Sequence, residues 1–149
     1  MDKLMQEAVQ PFRARMFNRD NSKPKEKRIL VLKTGIAGMQ YYIENDEERK
    51  AIDEIIPGTE LILYREPDNV HDELAIAVYL TENDKLGFIT RFKNETIARL
   101  MDAGKKFVAV VDDPENDPEA AEIAEKERRR NRAGTENMAI PFSVYMIDD

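Results

Sequence analysis

The sequence predicts a mainly β domain of six or seven short strands with two short helices, arranged as a small barrel or a sandwich of mixed type. Three observations carry that expectation. Short apolar or alternating runs recur between Arg28 and Ile147, separated by Gly, Pro, Asn and Asp. Turn residues such as Glu82-Asn83-Asp84 join neighbouring runs closely enough to demand antiparallel hairpins. Only two segments in this stretch, Asn45–Ile55 and Phe92–Ala103, repeat apolar residues at the helical period with a core-facing stripe.

Taken in order, residues 1–26 read as an N-terminal arm and linker, and 27–149 as the folded domain. Leu4, Met5, Ala8, Val9, Phe12 and Met16 fall at helical spacing broken by Pro11, so the arm is expected to be partly helical. Ile29-Leu30-Val31-Leu32 is a buried-strand run. Residues 36–43 also look extended, with Gly35 and Gly38 allowing a bend or a close approach. Asn45 or Asp46 opens a helix that Pro57-Gly58 ends. Thr59–Arg65 is a strand. Leu74–Leu80 alternates large and small residues, which predicts a half-buried strand, and Lys85–Ile89 follows the hairpin. Asn94 is placed to cap the best helix of the chain, and Gly104 to end it in the left-handed conformation. Lys106–Val111 and Ala139–Ile147 are the last strands, with Pro141 at an edge or an entry position. Between them lies a charged helical insert at 112–137. Asp117-Pro118-Glu119 starts its helix and Arg128-Arg129-Arg130 ends it, but Ala120, Ile123 and Ala124 give it almost no core face, so it is expected to project or to lie loosely on the body.

Composition removes whole classes of function. The 149 residues include no Cys and one His, which excludes a disulfide framework and all but excludes zinc. No apolar run is long enough to span a bilayer, and Met1-Asp2-Lys3 does not begin a signal peptide, so a soluble cytoplasmic protein without a membrane partner is expected. The net charge is −7, and only residues 1–26 are net basic, by +2. A broad phosphate-tracking groove is therefore not supported, and a nucleic-acid role must rest on a compact site.

Three patches offer such a site. Adjacent Tyr41 and Tyr42 in a regular strand would face opposite ways, one to the core and one to solvent. A bulge after the two glycines would turn both outward as a stacking platform, worth about 1–3 kcal/mol per base. Asp68-Asn69-Val70-His71-Asp72-Glu73 is a turn rich in Asx hydrogen bonding, where Asn69 and Asp72 can also converge on one hydroxyl. Gly87-Phe88-Ile89-Thr90-Arg91 permits close backbone approach at Gly87 and puts Arg91, a bidentate phosphate ligand, near a helix start.

Together, Gly38-x-x-Tyr41-Tyr42, the block from Arg65-Glu66-Pro67-Asp68-Asn69 through Asp72 and Ala75-Ile76-x-Val78, and Leu86-Gly87-Phe88-Ile89 before a helix resemble the HIRAN domain. That module is found in helicase-like fork remodellers of the SWI/SNF type and as stand-alone bacterial proteins. The resemblance runs from Ile29 to Val111, resumes at Ile140-Pro141-Phe142, and leaves out residues 1–26 and the insert. It implies an OB-like antiparallel barrel of about six strands with two or three short helices, binding single-stranded DNA at a free 3′-hydroxyl end. On that footing Tyr41 and Tyr42 stack on the last bases, and Asp72 accepts from the terminal hydroxyl beside Asn69. His71 replaces a Tyr, Phe88 a polar or basic ring, Arg91 a Lys, and Gln40 a phosphate-binding Arg.

The expected function is accordingly a non-enzymatic DNA-binding module in repair or processing, with no cofactor and no catalytic or metal-binding residue. A helicase or nuclease partner would dock on the arm or on the 117–132 helix. The alternative is a protein-interaction module whose DNA site is weakened or lost. An Mg²⁺-dependent nuclease built on Asp68, Asp72 and Glu73 is a third reading, without the Lys partner or phosphate loop such enzymes use.

Overall fold

The computed structural model describes residues 27–43, 45–131 and 138–148, so the expected arm at 1–26 lies outside the described residues, as does the end of the insert at 132–137. Every apolar run but one becomes a strand: β1 (Lys27–Gly35), β2 (Glu60–Glu66), β3 (Ala75–Tyr79), β4 (Lys85–Phe88), β5 (Phe107–Val111) and β6 (Pro141–Asp148). They form one sheet in the order β1-β6-β5-β2-β3-β4, antiparallel throughout. Pro141 is the entry residue of β6, which is an inner strand, not an edge.

The two edges of the sheet meet. Just past β1, Ala37 forms an isolated antiparallel bridge with Phe88 of β4, with N–H···O distances of 2.8 and 2.9 Å in the two directions. One such bridge gives the sheet its barrel-like curl. The enclosed core holds Ile36, Ile76, Val78, Leu86, Ile89, Phe142 and Val144, each at most 2% exposed. Burial of side chains of this size contributes about 1.5–3 kcal/mol apiece.

The segment 36–43 departs from the strand expected there. Gly38 takes φ +76°, and a single 3₁₀ turn follows over Met39–Tyr41. The reason lies in spacing: the helical turn brings Met39 and Ile43 to the same side, 2% and 4% exposed, where a strand would also have sent one tyrosine inward. β3 departs too. All of Ala75–Val78 are buried, at most 4% exposed, since the strand lies between β2 and β4 and its alanines are small enough to be covered on the second face.

Helix α1 (Asp46–Asp53) is capped as expected: Asn45 Oδ1 accepts from Glu48 N at 2.8 Å. Helix α2 (Glu95–Asp102) ends in a Schellman arrangement, with Lys105 N donating to Leu100 O, Gly104 N to Met101 O, and Gly104 at φ +96°. An ion pair of 3.0 Å from Arg65 to Asp102 fastens α2 to β2.

Helix α3 (Pro118–Arg130) corrects the expectation of a loose insert. It packs on β1 and β6, with Ala120 and Ala124 fully covered. A wide apolar stripe is unnecessary because small residues let the backbones approach closely. Gly35 completes the fit, since the side chain of Glu127 occupies the space a Cβ there would need. At the other end Lys33 Nζ donates to Asp117 Oδ2 at 2.7 Å, and that bond holds the Asp117 carboxyl below, and the Lys33 ammonium above, their ordinary pKa values.

Candidate nucleic-acid interface

The 3₁₀ turn decides where the tyrosines go. With Met39 and Ile43 anchored inward, Tyr41 is 67% and Tyr42 37% exposed. A Cβ on Gly38 would lie 3.8 Å from Tyr41 Cδ2 and 4.0 Å from Tyr42 Cε2, so both rings lean over the same glycine. A left-handed glycine and a helical turn thus achieve the outward pair that sequence reasoning assigned to a bulge. Gln40, between Met39 and Tyr41, is half-buried.

The Ala37–Phe88 bridge carries this turn to β4. Tyr42 and Phe88 are in ring contact, with centroids 5.6 Å apart and planes tilted by 59°. Gly87 makes that approach feasible, because a Cβ there would overlap the carbonyl oxygen of Ala37. The close approach anticipated at Gly87 is therefore made by the chain's own backbone.

Lys85, unremarked in the sequence, sits over both rings, its Nζ 5.0 Å from the Tyr42 centroid and 4.4 Å from that of Phe88. The same ammonium pairs with Glu66 Oε2 at 2.8 Å, and Glu66 Oε1 accepts from Asn69 Nδ2 at 3.0 Å. Asn69 Oδ1 in turn accepts from the backbone N–H of His71 and of Asp72, at 2.8 and 3.1 Å. An unbroken series of contacts thus runs from the ring pair to the Asp72 turn.

Asp72 itself is held at both carboxylate oxygens. Oδ1 accepts from Leu74 N at 2.9 Å, and Oδ2 from Asn94 Nδ2 at 2.8 Å. Asn94 stands at the start of α2 but makes no side-chain cap there, contrary to its sequence reading. Its backbone is helical there, at φ −92° and ψ −18°, and its side chain, 1% exposed, instead gives Nδ2 to the charged carboxylate in a strong bond. Lys85 and Asn94 are the residues sequence reasoning missed. The first gave no signal beyond following a hairpin turn, and the second gave a signal for capping.

The side chains of His71 and Arg91, like those of Gln40 and Tyr41, are not links of that series. His71 joins it only through its backbone N–H and is exposed. Arg91 lies over Phe92, its guanidinium carbon 5.3 Å from the ring centroid. Among the described residues no group of three or more Asp, Glu or His is arranged to hold a metal ion, so Asp68, Asp72 and Glu73 do not form the site the nuclease reading needs. A cavity of 540 Å³ opens elsewhere, lined in part by Ile52, Ile55, Val111, Asp112 and Ile140, and includes none of the predicted site residues. Among the described residues no helix is long and apolar enough to cross a membrane.

Comparison with known proteins agrees with the fold. No curated protein matches the sequence. A crystal structure of a protein from Lactobacillus plantarum is similar at 20% identity and a TM-score of 0.60, covering 84% of this chain and 100% of that one. The crystal structure of the HIRAN domain of human HLTF is similar at 18% identity and a TM-score of 0.50, covering 80% and 78%. The sequence matches the HIRAN domain family over residues 29–128, a span that takes in most of α3 as well, farther than the motif resemblance extends. The chain belongs to the HIRAN domain family, a family of nucleic-acid-binding modules.

Proposed function

We propose that this domain binds single-stranded DNA at a free 3′-hydroxyl end and serves in DNA repair or processing. The observation that carries the reading is the continuous set of contacts from the Tyr42–Phe88 pair, through Lys85, Glu66 and Asn69, to the fixed carboxylate of Asp72. Exposed Tyr41 and Tyr42 supply faces for the last bases. A carboxylate has about four acceptor positions, of which amide donors from Leu74 and Asn94 engage two. The remainder suit a donating hydroxyl and repel a terminal phosphate. Stacking and one placed acceptor need no basic field, so the reading is compatible with a net charge of −7.

Fluorescence anisotropy on oligonucleotides ending in 3′-hydroxyl or 3′-phosphate, at low salt, tests it. The hydroxyl form should bind more tightly, Asp72→Ala should abolish the difference, and Tyr42→Ala should cost about 1–3 kcal/mol on both. Equal binding of the two ends, or none, rejects the reading. A binding module needs catalysis from elsewhere, so a helicase or nuclease partner belongs to the proposal, docking on residues 1–26 or on the outer face of α3.

One observation favours a second reading, a protein-interaction module with a weakened DNA site. Glu66 neutralises Lys85, the cation seated over the two rings, and Gln40 adds no charge. Capture of a partner that is lost on deleting residues 1–26, with no DNA binding at low salt, would establish it.

A further inference from the structure

Phe92 is 82% exposed and has no role in the site described above. A single exposed apolar side chain is ordinary; the placement of this one is not. Phe92 lies between Phe88, whose ring meets Tyr42, and Asn94, whose amide holds Asp72, so contacts of the candidate site bracket it on both sides. Its neighbours Arg91 and Lys93 are exposed cations in a chain of net charge −7, and Arg91 is already stacked on its ring.

The charge of the loop also reaches the end of α3. Glu127 lies against Gly35, two residues before the Ala37 that bridges to Phe88, and it pairs with Arg130 Nη1 at 3.7 Å. Lys93 acts on the same carboxylate from the side of the loop. Arg130 and Arg129 are 67% and 76% exposed at their side chains, and their partners are glutamates of the same helix. Exposed pairs of this kind yield readily to a phosphate, which an arginine can hold with two parallel bonds.

We propose that Arg91, Phe92 and Arg130 form a second contact surface for single-stranded DNA, taking the nucleotides that lead into the terminal site. Phe92 stacks on a base inward of the end, while Arg91 and Arg130 bind the phosphates on either side of it. The assignment rests on the 3′-end reading for its direction along the strand. It gives the arginines closing α3 a task beyond matching the helix dipole.

The test uses the full chain and 3′-hydroxyl oligothymidylates of two, four and eight nucleotides, with a 3′-phosphate eight-mer alongside. Wild-type affinity should rise with length. Phe92→Ala should lose about five-fold or more on the eight-mer, leave the dinucleotide unchanged, and keep the preference for 3′-hydroxyl. The double variant Arg91→Gln, Arg130→Gln should flatten the slope of log affinity against log salt by about 1.4 for two lost phosphate contacts. Unchanged eight-mer affinity in Phe92→Ala, or an equal loss on the dinucleotide, overturns the second surface even if the end preference stands. A length-dependent loss without any end preference in the wild type overturns the terminal reading alone.

Discussion

Asn94 Nδ2 donates to Asp72 Oδ2 across 2.8 Å, from a side chain that is 1% exposed, and the two residues fix each other. The amide has left the helix terminus it stands at, and the carboxylate has gained a partner that sets its orientation. Asn94→Ala removes the donor and opens a small void. The expected loss is about 1–3 kcal/mol of stability, read from the urea midpoint. Discrimination between 3′-hydroxyl and 3′-phosphate should weaken, while the affinity that depends on Tyr42 stays. A variant that loses stability but discriminates as before would make Asn94 a structural residue only.

The Ala37–Phe88 bridge joins the two edges of the sheet, and Gly87 is the residue that permits it. A Cβ at Gly87 would overlap Ala37 O and stand 2.9 Å from Ile36 Cγ2. Gly87→Ala is expected to destabilise by about 1–3 kcal/mol, as overpacking does, and to speed hydrogen exchange at the amides of Ala37 and Phe88. Gly58→Ala is the control: a Cβ there meets nothing within 4 Å, so only the strain of φ +91° acts, about 1–2 kcal/mol. That variant should leave exchange at the bridge unchanged.

Lys85 is held over two aromatic rings yet neutralised by Glu66 at 2.8 Å. Glu66→Gln removes the opposing charge and keeps an oxygen to accept from Asn69 Nδ2. Binding of single-stranded DNA should tighten at low salt, and the slope of log affinity against log salt should steepen by about 0.7, the value for one more phosphate contact on a single strand. An unchanged slope would show that Lys85 serves the rings alone.

The strands after residue 58, the cap of α1 and the end of α2 were legible because each depends on neighbours in sequence. At the end of α2, Gly104 N bonds Met101 O and Lys105 N bonds Leu100 O, all within six consecutive residues. The tyrosine pair was legible in composition but not in geometry. In a strand Met39 and Ile43 share their face with Tyr41, so only a helical turn points both tyrosines outward, and the aromatic, β-branched run around them argued for a strand. Asn94 failed for another reason. Capping would have used its Oδ1 as an acceptor, whereas its Nδ2 donates to a carboxylate 22 residues away that only the fold brings within reach. The packing of α3 was hidden because two covered alanines and a glutamate seated over Gly35 make a close contact that no hydrophobic stripe announces.

The Glu127 side chain, only 13% exposed and lying against Gly35, has its carboxyl pKa pushed up by burial, with Arg130 and Lys93 pulling the other way. A folded value above the unfolded one means that the native state holds the proton more tightly. The stability this provides is complete below the unfolded value of 4.5 and disappears as pH rises through the folded value. Near neutral pH the charged carboxylate is therefore a net burden on the fold. Glu127→Gln keeps the shape and drops the charge, so it should raise Tm near neutral pH, and the gain should vanish on acidification below about pH 4. The same substitution leaves Arg130 and Lys93 without their shared counter-charge, so the salt slope for single-stranded DNA should steepen alongside the gain in Tm. A fall in Tm near neutral pH would mean that the attraction of Arg130 and Lys93 outweighs burial. An equal shift at both pH values would trace the effect to packing over Gly35 and not to charge.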